Sequence, residues 1–137
     1  MIIKLENPLL VGKILEMAKS VPDTPINTLE KMLLSAIGDK DSIIYIDDHN
    51  GEIRGFIYAS KELWQGEEVA FIQFCVIKSD DMERYIGFEL LSKLRVWALD
   101  NNINNLIFST KRNPRGFIKR YKFELESYVL KRKVRDI

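Results

Sequence analysis

FIQFCVIKSDDMERYIGFELL, residues 71–91, is the stretch on which the reading of the fold turns. It opens as an apolar strand, passes through a polar loop at residues 78–82, and continues from Glu83 as an amphipathic helix. Extended back to Glu68, the strand places Val69, Phe71, Cys75 and Ile77 on one side and Ala70, Ile72, Phe74 and Val76 on the other. A strand apolar on both sides belongs near the middle of a sheet covered on both faces, with Gln73 as its only polar interior residue. A strand that runs through a loop into a helix N-terminus also turns backbone N–H groups toward one point, which suits a phosphate or pyrophosphate. The same segment carries Asp80, Asp81, Glu83 and Glu89, which suit a helix start with no anion to bind. Asp80 with Glu83 makes a capping-box-like pair, and Glu89 precedes Lys93 by one turn. A helix that starts near Asp81 consumes the N–H groups of Gly87 to Glu89 in its own ladder, whereas one that starts near Gly87 leaves them free.

Working outward, Ile2, Ile3 and Leu5 read as a short first strand, and Asn7-Pro8 as an N-cap with proline at the first helical position. That helix runs to about Ser20. A second begins at Thr24-Pro25, repeats Ile26, Leu29, Leu33 and Ile37 at helical spacing and stops at Gly38. Residues 42–47 (SIIYID) form a strand, Asn50-Gly51 a tight turn, and residues 54–60 (RGFIYAS) the returning strand. A connection at residues 62–66, containing Trp64, leads into the apolar strand. The helix from Glu83 to Asn101 packs Ile86, Leu90, Leu94 and Trp97 on one face. Residues 104–110 are another strand, Asn113-Pro114 starts a short helix to Tyr121, and residues 125–134 form a closing strand. The expected architecture is a single α/β (α+β) domain over residues 1–137, with a mixed central sheet of six to seven strands flanked by four helices.

Composition narrows the classes. The chain has 137 residues, 46% hydrophobic and 30% charged, which is ordinary globular composition for one domain. No apolar run approaches a membrane span and no leader-like N-terminus is evident, so a cytoplasmic protein without membrane contact is expected. His49, the single histidine, lies in a turn without partners, so no metal site is expected. Cys75 is the only cysteine and reads as a small core residue. From residue 111 onward ten Lys/Arg stand against three Asp/Glu. This basic end suits a solvated surface or an anionic ligand. Nucleic acid is not expected, because Phe117, Tyr121 and Tyr128 do not form a stacking platform.

The order of elements, the strand ending FCVI at residues 74–77 and the Arg84-x-x-Gly87 segment resemble the GNAT superfamily of acyl-CoA-dependent N-acetyltransferases, over nearly the whole chain. The resemblance implies an acetyl group passed from acetyl-CoA, as co-substrate, to a small-molecule or protein amine. It implies that main-chain groups of Phe74, Val76 and Ile77 pair with the pantetheine arm. Amides of Arg84, Tyr85, Ile86, Gly87, Phe88 and Glu89 would hold the pyrophosphate, and Asn113 would touch the cofactor's arm. The chain departs from the family pattern at four places: Glu89 stands at the third motif position, Phe71 where some members carry a base glutamate, Ile118 where many carry an acid tyrosine, and Lys122 where they carry glycine. The remaining catalytic candidates are Tyr121 as acid, Glu68 or its neighbour Glu67 as a base acting through water, and Gln73 to orient that water. The alternative is a catalytically degenerate binding module of the same fold. A homodimer is compatible with either.

Overall fold

The computed structural model describes residues 1–78, 83–109, 115–124 and 132–136. Asp80, Asp81, Arg112, Asn113 and the stretch 125–131 of the expected closing strand lie outside the described residues. Strand β1 (Ile2–Lys4) is followed by a 3-10 turn at Pro8–Leu10 that runs into α1 (Val11–Lys19), and then by α2 (Ile26–Ala36). Asn7 caps this start as expected: its side chain accepts a hydrogen bond from the Leu9 N–H at 3.0 Å, and Pro8 follows it. Next come β2 (Ser42–His49), β3 (Glu52–Trp64), β4 (Glu67–Ile77), α3 (Glu83–Asp100), β5 (Leu106–Phe108), α4 (Arg115–Tyr121) and a 3-10 turn at Val134–Asp136.

The five strands form one sheet in the order β1-β2-β3-β4-β5, antiparallel except for the parallel β4–β5 pair. The expected six to seven strands are therefore five among the described residues. Val134, expected to end a closing strand, sits in a 3-10 turn instead. Strand β3 is longer than its sequence signal, continuing through Trp64, which pairs with Glu67. The expected connection at residues 62–66 shrinks to Gln65 and Gly66, at φ 51° and 80°. Asn50 and Gly51 take the same left-handed pair, at 54° and 87°. Both hairpins thus use the two-residue turn whose twist matches the strands it joins.

Two cores sandwich the sheet. On one face Ile44, Ile46, Phe56, Tyr58 and Val76 pack against Ile14, Leu29 and Leu33 of α1 and α2. On the other, Ile43, Ile57, Ala59 and Ile72 pack against Ile86, Leu90 and Leu94 of α3. The two-sided apolarity of β4 is real, but its alternation is not the simple one. In the β3–β4 register Tyr58 pairs with Phe74 and Ala59 with Ile72, so Gln73 is an extra residue in β4. Such a bulge puts two consecutive side chains on one face and reverses the alternation beyond it. Phe74 and Val76 consequently join the α1–α2 face, while Cys75 and Ile77 join Ile72 on the α3 face.

Candidate functional site

The bulge also reverses which backbone groups point out of the sheet. Before it, Ala70 N–H donates to Asn105 C=O of the β5 side at 3.0 Å. After it, Lys78 N–H donates to Arg54 C=O on the β3 side at 2.7 Å, so Val76 and Phe74, two and four residues back, also face β3. Cys75 and Ile77 therefore direct their N–H and C=O groups to the β5 side. β5 does not follow them there. Its pairing with β4 covers only Ala70, Ile72 and the residue between, opposite Leu106–Phe108. Beyond Ile72 the β5 side of β4 has no strand partner among the described residues, which leaves an open edge one extended chain could pair with.

This corrects the expectation for the strand. Phe74 and Val76 spend their backbone groups on β3, Ile77 faces the open edge as expected, and Cys75 shares that edge with it. The resemblance carried over Phe74 and Val76, whose backbone groups the extra residue at Gln73 turns toward β3, in place of Cys75. Burial pushes its thiol up to about 12, so Cys75 stays protonated at neutral pH and offers backbone rather than a thiolate.

α3 begins at Glu83, so the amides of Gly87, Phe88 and Glu89 donate to carbonyls one turn back inside the helix. Among the described residues, the donors of its first turn are those of Glu83, Arg84 and Tyr85. Glu89 does not face the strand gap. Tyr85 and Glu89 share one side of α3, where a hydrogen bond to the Glu89 carboxylate and, more weakly, the charge of Asp47 on β2 raise the Tyr85 phenol. Gly87 looks the opposite way, about 160° around the helix. There Tyr121 of α4 comes down on it, with its ring at 5.1 Å and 71° to Phe88, an edge-on contact. Phe88, Leu91, Arg95, Tyr121 and Lys122 border a cleft of about 550 Å³ between α3 and the end of α4.

Gln73, Tyr121 and Glu68 are not brought together. Gln73 sits at the bulge on the α1–α2 face. Glu68 lies on the other face, exposed, about 17 Å back along the strand from Gln73. Tyr121 stands on the α3 side near Ile77. What does surround Gln73 is a polar group the sequence reading passed over. Gln73 Nε2 donates to Ser60 Oγ at 3.0 Å, and Ser60 Oγ donates to Glu62 Oε1 at 2.9 Å. Tyr58 lies alongside on the same face. Burial raises its phenol, a hydrogen bond with Ser42 partly offsets this, and the carboxylates of Asp39 and Glu62 add to the rise. Ser42, Tyr58 and Ser60 are each less than a tenth exposed. A buried serine inside the apolar run RGFIYAS was the available signal.

Among the described residues no cluster of His, Cys, Asp and Glu could hold a metal, and no helix is long and apolar enough to cross a membrane.

No protein-family model matches the sequence, and no curated protein sequence matches it. Solved structures do. The aminoglycoside 6'-N-acetyltransferase AAC(6')-Ih from Acinetobacter baumannii superposes with a TM-score of 0.79 at 13% identity, over 97% of this chain and 96% of that one. AAC(6')-Iy in complex with a bisubstrate analog of CoA gives 0.79 at 15% identity, over 97% of both chains. A predicted acetyltransferase with acetyl-CoA from Clostridium acetobutylicum gives 0.76 at 12% identity, over all of this chain and 99% of that one. These near full-length superpositions show that the chain has the fold of these acetyltransferases, the GNAT fold.

Proposed function

We propose that the protein is an acetyl-CoA-dependent N-acetyltransferase. The observation that carries this reading is the unpaired edge of β4 at Cys75 and Ile77, ending beside the first turn of α3. The pantetheine arm has amide and carbonyl groups along its length and would pair with that edge like an added strand. The spare amides of α3 would then meet the pyrophosphate, and Asn113 remains a candidate contact to the arm. Acetyl-CoA would supply the activated acetyl group when bound.

The acceptor amine would approach on the α1–α2 face at the bulge, where the carboxylates of Asp39 and Glu62 suit a cationic amine from a small molecule or a protein. The amine nitrogen attacks the thioester carbonyl, a C–N bond forms, and the C–S bond breaks with its electron pair leaving on sulfur. Glu62, tied into the Gln73–Ser60 chain, takes the amine proton through water in place of Glu68. Tyr121 remains the nearest hydroxyl on α4 to protonate the leaving thiolate.

Calorimetric titration tests the reading. Saturable heat with acetyl-CoA and CoA, followed by release of free thiol on adding a polyamine, is the expected result. The engaged amides of Gly87 to Glu89 favour the other reading, a binding module without turnover. No heat at millimolar cofactor would support that module and sink the acetyltransferase, and heat without thiol release across an amine panel would sink turnover alone.

A further inference from the structure

The glycine of the Arg84-x-x-Gly87 segment has a use in this structure that does not involve a phosphate. Gly87 is buried in the second turn of α3, and its N–H belongs to the helix ladder. A methyl group built on Gly87 would fall on the Tyr121 hydroxyl, would stand 2.9 Å from Tyr121 Cζ and would approach Ile77 Cδ1 at 3.3 Å. Among the glycines whose surroundings are described, no other meets a side chain so closely. The tyrosine ring cannot give way without losing its edge-on contact with Phe88, the next residue of α3. Ile77, the third wall, is the last residue of β4 and one of the two that face its open edge.

The geometry points to Gly87 as a positioning residue. Its missing side chain seats the Tyr121 hydroxyl, docks α4 across the end of β4, and sets that hydroxyl beside the edge proposed for the pantetheine arm. This deepens the acetyl-CoA reading and rests on it for the functional consequence, although the seat itself does not. In an exposed or roomy helix position, glycine to alanine raises stability, because alanine is the better helix former. Here the sign is reversed by the tyrosine.

Two measurements decide. In the ligand-free protein, Gly87→Ala is expected to lower the thermal midpoint by several degrees. The same change made in a Tyr121→Leu background is expected to raise it by about 2–4 °C, the size of a helix-propensity gain in a domain of this length. A rise in both backgrounds would overturn the seat, and so would a fall of equal size in both.

For function, Gly87→Ala and Tyr121→Phe are each expected to weaken acetyl-CoA binding about tenfold, the loss of one hydrogen bond. The double variant is expected to be no weaker than either. Multiplying losses would assign Gly87 to the phosphate and overturn the positioning role. If acetyl-CoA gives no heat with the parent protein, the acetyl-CoA reading fails while the thermal sign change still decides the seat.

Discussion

Lys122 follows α4 with φ at 58°, a left-handed conformation in which a side chain costs about 1–2 kcal/mol. Glycine, which the resemblance implies at this position, is the residue that suits this backbone shape. Lys122→Gly is expected to raise unfolding stability by about 1 kcal/mol in urea titrations, with an unchanged slope against urea. Cys75 supplies the pH dependence. Its thiol is raised from about 9 to about 12 by burial alone, so the unfolded chain ionises first as pH rises. Its contribution is whole below pH 9 and drains away between about 9 and 12. Stability should fall across that window, and Cys75→Ala should flatten the fall. Alkylation of the native thiol at pH 8 should correspondingly be far slower than that of the urea-unfolded chain.

At the scale of the element, β4 has two edges with different protections. Phe74 and Val76 donate to β3, whereas Cys75 and Ile77 face the side that β5 leaves after Ile72. Residue-resolved amide exchange should find the first pair slow and the second fast in the free protein, with acetyl-CoA slowing the second pair only. The face of the strand matters equally for the carboxylates. Glu62→Gln should lower kcat about 100-fold, while Glu68→Gln, on the far face and several residues back, should stay within about twofold, both read as thiol release. Sequence periodicity was sufficient for the existence and order of the elements from β1 to α4, though not for the number of strands, because caps such as Asn7-Pro8, turns such as Asn50-Gly51 and the 3.6-residue stripe of α3 are written in consecutive residues. It did not reach the bulge at Gln73, whose extra residue is visible only against the partner strand, and so it misassigned Phe74, Val76 and Cys75. Nor did it reach the Tyr121 seat on Gly87, a contact between residues 34 positions apart. Residues 110–114 and 125–131 lie beyond the comparison.

For the whole molecule, both helical layers lean on the same sheet, and β4 contributes buried side chains to each: Val76 toward α1 and α2, Ile72 toward α3. Neither layer has a core without the strands it shares, so unfolding should be a single cooperative event. Near-UV and far-UV circular dichroism should trace one thermal transition, and acetyl-CoA at a hundred times its Kd should stabilise it by about 2.7 kcal/mol. The insertion at Gln73 bears on how the chain can change over time. β3 alternates regularly from Gly55 to Ser60, so pairing with it, and not the number of residues in β4, sets the face that each half of β4 serves. Loss of Gln73 itself would leave Ala59 opposite Ile72 and Tyr58 opposite Phe74, now in unbroken alternation, with Cys75 and Ile77 still turned to the edge. Lineages of this protein should therefore tolerate loss of this one residue within β4, while other single-residue indels should collect in the turns at its ends.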